Sequence, residues 1–290
     1  MSKKTAGRWA LEIFAALTFI LFISPIILII INAAKTSPQI LSNPLNLPQE
    51  WGNLWSNIVE IWNNPVVKYQ ESFISSVIIT VLSLTLITLI SSLAAWGLVR
   101  YQSKWSNVIF LIFVASMVIP FQVVMYPLIS WFKTVSDHVT IPFMGFSLLR
   151  SYQGIILAYI GFGMGLSIFM FHGFIKGVPL EIEEAAEIDG CNKFQTFFYV
   201  VLPILKPIYI TIIILNGIWI WNDFLLPLLL LGKGNAIQTL PIAVSNFAGA
   251  FTKEWDMILS SALFVMLPII IIFLIAQKQI LKGMVDGAIK

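Results

Sequence analysis

Charge is what this sequence has least of. Asp, Glu, Lys and Arg make up 11% of its 290 residues, against about 25% in a typical soluble domain. So little charge cannot cover a water-facing surface of this size, which excludes the soluble globular class. Cysteine is nearly absent as well. Cys191 stands alone, so an internal disulfide, a CxxC redox pair and a multi-cysteine zinc site are excluded. The two histidines, His138 and His172, are far apart and form no HExxH pair. No GxxxxGK[ST] phosphate loop occurs, so the chain is not expected to hydrolyse ATP by itself. The formal charge is +3, and no basic run points to nucleic acid.

What fills the chain instead is hydrocarbon. Hydrophobic residues make up 58% of it, and the mean hydropathy is +0.90. Apolar runs of about 20 residues are long enough to cross ~30 Å of lipid at 1.5 Å per residue. Six such spans are predicted, near 11–32, 73–99, 107–130, 154–175, 207–231 and 257–279. Pro25, Pro120 and Pro268 fall inside spans, where neighbouring helices and water can satisfy the freed backbone groups. The first span is too long for the apolar region of a cleaved signal peptide, and no A-x-A site follows it. The expectation is an all-α membrane protein forming a single transmembrane domain over residues 1–290.

Orientation follows from lysine and arginine near the span ends. With the N-terminus inside, eleven of the 17 basic residues fall on inner segments. That balance predicts both termini in the cytoplasm. The outer segment 33–72 carries Trp51, Trp55 and Trp62, which are read as anchors at the headgroup level.

The acids are not spread evenly. Glu181, Glu183, Glu184, Glu187 and Asp189 crowd into nine residues of the predicted inner loop 177–206, with no base among them. VPLEIEEAAEIDG reads as a short helix. Pro179 suits its first position, the acids suit the positive end of its dipole, and Gly190 suits the left-handed turn after its end. Asn192 can cap a second helix over 193–202, before Pro203 and Pro207 break it. Glu183 and Glu187 are i,i+4 and should repel by ~0.2–0.5 kcal/mol. A solvated acidic face would account for the acids alone. The alanine pair, the glycine turn and the capped second helix favour a helix–turn–helix that inserts into a groove with a basic rim.

The stretch EEAAEIDG followed by VVLPILKP resembles the EAA loop of ABC importer permeases. WND (Trp221, Asn222, Asp223), the tail QKQILKGMVDGAIK, AAWGLVRY, MVIPFQVVMYPL and TLPIAV are similar to the carbohydrate branch, in particular the smaller, maltose-importer G-type subunit. Cys191 departs from the alanine usual there, and ESFISS departs from the pattern at the start of the second span. The resemblance implies a coupling helix that docks on a cytoplasmic ATPase through Glu183, Glu184, Ala185, Ala186, Asp189 and Gly190. Glu184 would pair with a basic group, and enlarging Ala186 would block docking. The implied partners are a second homologous permease, two ATPase subunits binding ATP and Mg, an external solute-binding protein, a sugar and membrane lipids. No cofactor, metal or catalytic residue is expected in this chain.

Asn222 and Asp223 admit two readings, lining a sugar path or joining spans five and six; an acid within a span is functional or paired by default. Gly161 and Gly165 have the small-xxx-small spacing of a helix contact. His172 is read as interfacial. Glu12 is placed to reach water or a lysine. Lys278, Lys282 and Lys290 suit acidic headgroups. Three rival functions remain: an ABC permease for a polyol or glycerol phosphate, a proton-coupled transporter using Asp223, and an intramembrane enzyme. The last lacks paired intramembrane carboxylates and a nucleophile–base set.

Overall fold

The computed structural model describes residues 3–65, 67–138, 147–248 and 254–288. Lys253 and Lys290 lie outside them, as do the side chains of Lys3, Lys4, Lys278 and Lys282. Every regular element among the described residues is helical. The chain divides into two compact units, Met1–Gln70 with Ala243–Leu267, and Glu71–Ile242 with Pro268–Lys290.

Among the described residues, four helices are long and apolar enough to cross a membrane: Gly7–Ala33 within α1 (Lys3–Ala33), α4 (Tyr69–Arg100), α7 (Tyr152–Ile175) and Trp255–Ile272 within α14 (Trp255–Ala288). Two bent helix pairs bring the number to six if each is one span. One pair is the expected third span. It is not continuous over 107–130, but breaks by 106° between α5 (Lys104–Ser116) and α6 (Phe121–His138). Pro120 lies in the break, where its missing N–H and its ring oppose an unbroken helix. The other pair joins Lys193–Ile204 to α11 (Lys206–Asn222) at 76°. The expected fifth span also ends early. α11 stops at Asn222, and a separate short α12 covers Leu225–Leu230.

In the first unit, polar segments that read as loop form two further helices, α2 (Ser37–Ser42) and α3 (Gly52–Asn63). The last carbonyl of α1 cannot be satisfied within the helix. Ala33 O instead accepts from the Asn57 side chain at 3.1 Å and from Ser260 Oγ at 2.9 Å. Lys35, only 3% exposed, turns back on its own loop. Its ammonium donates to Asn32 Oδ1 at 3.0 Å, Asn43 O at 2.9 Å and Pro44 O at 3.3 Å. Trp51, Trp55 and Trp62 are exposed. Glu12 pairs with Arg8, at 2.9 Å one helical turn away.

Among the described residues of the second unit, two apolar clusters stand out. One gathers Ile79, Ile87, Phe132, Ile155, Tyr159, Ile220 and Leu226. The other gathers Ala95, Ile168, Phe171, Phe197, Val201, Leu205 and Ile212, and it underlies the acidic loop. Helix approach is set by small residues. A Cβ on Gly165 would lie 3.0 Å from Met117 Cγ and 3.1 Å from Phe113 O, and one on Gly163 would lie 2.7 Å from Ile87 Cδ1. Gly161 faces open space, so the contact pair is Gly163 and Gly165 and not Gly161 with Gly165. His172 packs within the protein. It is buried with its ring stacked on Phe110, centroids 3.8 Å apart.

Candidate functional site

The acidic loop begins with α8 (Glu181–Ile188). Pro179 is not its first residue; Leu180 is the N-cap, and Glu181, Glu183 and Glu184 fill the first turn. The dipole there favours their charge. The end of α8 is closed by Gly190 at φ +90°. Gly190 N–H donates to Glu187 O and Cys191 N–H donates to Ala186 O, each at 3.0 Å. This is the paired 5→2 and 6→1 bonding of a Schellman cap. Asn192 then starts the next helix, as its sequence position predicts. Its Oδ1 accepts from Gln195 N–H at 3.0 Å, and Gln195 Oε1 accepts from Asn192 N–H at 2.8 Å. That helix runs through α9 (Lys193–Gln195), a π-helical turn π1 (Thr196–Val201) and α10 (Leu202–Ile204). Phe197 of π1 packs on Trp96 of α4, ring centroids 5.3 Å apart.

The loop has two faces. Glu181, Glu184, Ala185, Glu187, Ile188 and Asp189 point outward, with Ile188 86% exposed. Leu180, Phe194 and Tyr199 are exposed beside them. The outward surface is therefore acidic and apolar together. Glu183 and Ala186 point inward, at 5% and 8% exposure. Ala186 is thus packed against its own chain, and Ala185 is the alanine open to a partner.

Glu183 is the residue that sequence reading placed on the wrong face. Its Oε1 accepts from Arg100 Nε at 2.8 Å and lies 2.7 Å from Arg100 Nη2. Its Oε2 accepts from Trp96 Nε1–H at 2.9 Å. Arg100 also donates to Val178 O at 3.0 Å. The pair sits at complementary helix ends: Arg100 closes α4, where the dipole is negative, and Glu183 opens α8, where it is positive. Glu183 therefore does not stand as an uncompensated repeller of Glu187. Removing one partner of such a buried pair typically costs about 3–5 kcal/mol, because the other charge is left buried alone. A second contact lies past the turn, where Lys193 Nζ donates to Tyr101 Oη at 2.9 Å. Trp96, Arg100 and Tyr101 were not singled out as site residues. All three lie in AAWGLVRY, the stretch that closes α4, and that stretch was the available signal.

The second candidate set lies in the other cluster and is not brought to the loop. Trp221 is buried, edge-on to Phe73 at 6.0 Å. Asn222 turns its amide to Ile218 O, at 2.8 Å. Asp223 accepts from Tyr159 Oη–H at 3.1 Å and from Leu225 N–H at 3.1 Å. It ties the end of α11 to α7 and starts α12. The link runs to the fourth span, not between spans five and six.

Apolar helices of spanning length and two broken pairs define a multi-pass helical membrane protein, with a capped acidic loop that exposes small and apolar residues. Comparison with known proteins makes the class specific. The chain belongs to the family of binding-protein-dependent transport system inner membrane components, whose pattern matches residues 87–286. It is 34% identical over 290 residues, covering the whole of both chains, to the "Probable starch degradation products transport system permease protein AmyC" of Thermoanaerobacterium thermosulfurigenes. It is 31% identical to the arabinooligosaccharides transport system permease protein AraQ of Bacillus subtilis, over 98% of this chain and 96% of that one. Its fold is similar to a chain in the crystal structure of a bacterial ABC transporter involved in the import of the acidic polysaccharide alginate. That similarity has a TM-score of 0.78 at 18% identity, over 96% of this chain and 98% of that one.

Proposed function

We propose that this chain is one permease subunit of an ATP-driven oligosaccharide importer, and that its α8 loop is where a cytoplasmic ATPase grips it. The full-length similarity to oligosaccharide permeases supports the substrate class. The single observation behind the coupling role is the outward face of α8. Ala185 allows close approach, Ile188 offers an apolar contact, and Glu184, Glu187 and Asp189 offer a carboxylate rim for basic side chains. Ile188 together with exposed Leu180, Phe194 and Tyr199 makes an apolar patch rimmed by carboxylates, which suits a partner groove.

The importer would contain a second homologous permease, two ATPase subunits that bind ATP and Mg, and an external solute-binding protein. The excess of lysine and arginine on one side supports a cytoplasmic loop and cytoplasmic termini across six spans. When the ATPases close on ATP, the docked loop is displaced with them. A bundle with two stable arrangements then exposes the sugar path to one side or the other. This chain contributes half of that path and no bond chemistry.

The test is enlargement or charge reversal on the outward face. In the importer reconstituted with its ATPases, Ala185→Trp and Glu184→Lys should leave the permease in the membrane while ATP hydrolysis no longer drives uptake. Normal uptake in both variants contradicts the docking role.

A further inference from the structure

The α8 loop is joined by the backbone to α7 on one side and to π1, α10 and α11 on the other. It has no covalent link to α4. Yet its most deeply buried charged contact is to α4. Both carboxylate oxygens of Glu183 are engaged there, one by Arg100 and one by Trp96. The same guanidinium holds Val178 O, three residues before the helix. Beyond the Gly190 turn, Lys193 reaches Tyr101, the residue after Arg100. The end of α4 therefore grips the loop on both sides of its turn.

We propose that this grip is a transmission element. Arg100 and Glu183, with Trp96 beside them, act as positioning residues that make α4 move with α8 whenever the loop is displaced. The inference rests on the coupling role proposed above. Glu183 faces away from any docking partner, so it cannot serve as a rim carboxylate. A charge pair this buried, with Trp96 hydrogen-bonded to the same carboxylate, resists shear far better than an exposed pair. Load applied to the outward face thus reaches three helices directly: α7 and α11 through the chain, and α4 through this contact. Ile87 of α4 lies against Gly163 of α7, so α4 and α7 are in register further along as well.

The test uses the assembled importer and reads ATP hydrolysed per sugar imported, which a simple loss of folded protein does not change. Glu183→Gln and Arg100→Met should each raise that ratio several-fold while the ATPases still co-purify. In a Cys191→Ser background, cysteines at positions 100 and 183 joined by a short bifunctional thiol reagent should bring the ratio back down. Should the two variants fail to assemble, Trp96→Phe removes a single hydrogen bond and should raise the ratio more modestly. Independently, spin labels at Gln102→Cys and Glu181→Cys should keep one separation in the nucleotide-free and ATP-bound states. An unchanged ratio in the variants that assemble, or a separation that differs between the two states, overturns the proposal. If Glu184→Lys uncouples and Glu183→Gln does not, the transmission role fails and docking stands. If neither Glu184→Lys nor Ala185→Trp has an effect, docking itself fails.

Discussion

Tyr159 and Asp223 meet where α11 ends, the phenol donating to the carboxylate at 3.1 Å. Asp223 also receives the backbone N–H of Leu225 at 3.1 Å, so one side chain at the end of α11 supports the start of α12 and fastens it to α7. Two deletions should separate these duties. Tyr159→Phe loses one hydrogen bond and should cost about 0.5–1.5 kcal/mol. Asp223→Ala loses the cap as well and leaves a buried phenol without its partner, so it should cost more, about 1–3 kcal/mol. Melting of the detergent-purified permease reads both. Equal melting temperatures for the two variants would contradict the double role.

The turn after α8 depends on its backbone. A Cβ at Gly190 would meet nothing within 4 Å, so space is not the obstacle; φ is +90° there. A β-branched residue should therefore strain the turn by ~1–2 kcal/mol, and asparagine by less. Expected in melting experiments is Gly190→Val below Gly190→Asn, and Gly190→Asn just below the parent. Gly190→Val should also weaken retention of the ATPase, because the outward face of α8 loses its fixed angle to the following helix.

The two glycines of the small-xxx-small spacing should behave oppositely. Gly165→Ala places a methyl 3.0 Å from Met117 Cγ and Ser116 Oγ and 3.1 Å from the Phe113 carbonyl. Backbone cannot yield as a flexible side chain does, so a loss of about 1–3 kcal/mol is expected. Gly161→Ala meets open space in a helix interior and should melt at or slightly above the parent, by about 0.5–1 kcal/mol. Equal losses at both positions would contradict the packing described here.

How far the sequence speaks depends on how local each signal is. The α8 cap and the Asn192 box close within a few residues, so GCN after an acidic helix is enough to find them. The long apolar runs are likewise self-contained and give α1, α4, α7 and α14 nearly in place. The break at Pro120 was legible as a proline but not as a 106° bend, because the sequence does not say whether neighbours will satisfy the freed groups or let the helix turn. α3 was missed for a different reason: its tryptophans were assigned to the headgroup region, which says nothing about backbone. Glu183 is the most instructive case. Its partner Arg100 is 83 residues away, and no periodicity within the loop distinguishes the one inward acid from its four outward neighbours. Lys35 is similar, a charge counted toward orientation that the fold spends on three oxygens of its own loop.

The most direct measurement of the coupling role is the accessibility of position 188. Ile188 is 86% exposed in the isolated chain. An Ile188→Cys variant in a Cys191→Ser background should react readily with a membrane-impermeant maleimide applied from the cytoplasmic side of membranes holding the permeases without their ATPases. Adding the ATPase subunits should suppress that labelling strongly. Labelling that stays equally fast in the fully assembled importer would show the loop standing free in water, and the account of how this chain is driven would be wrong.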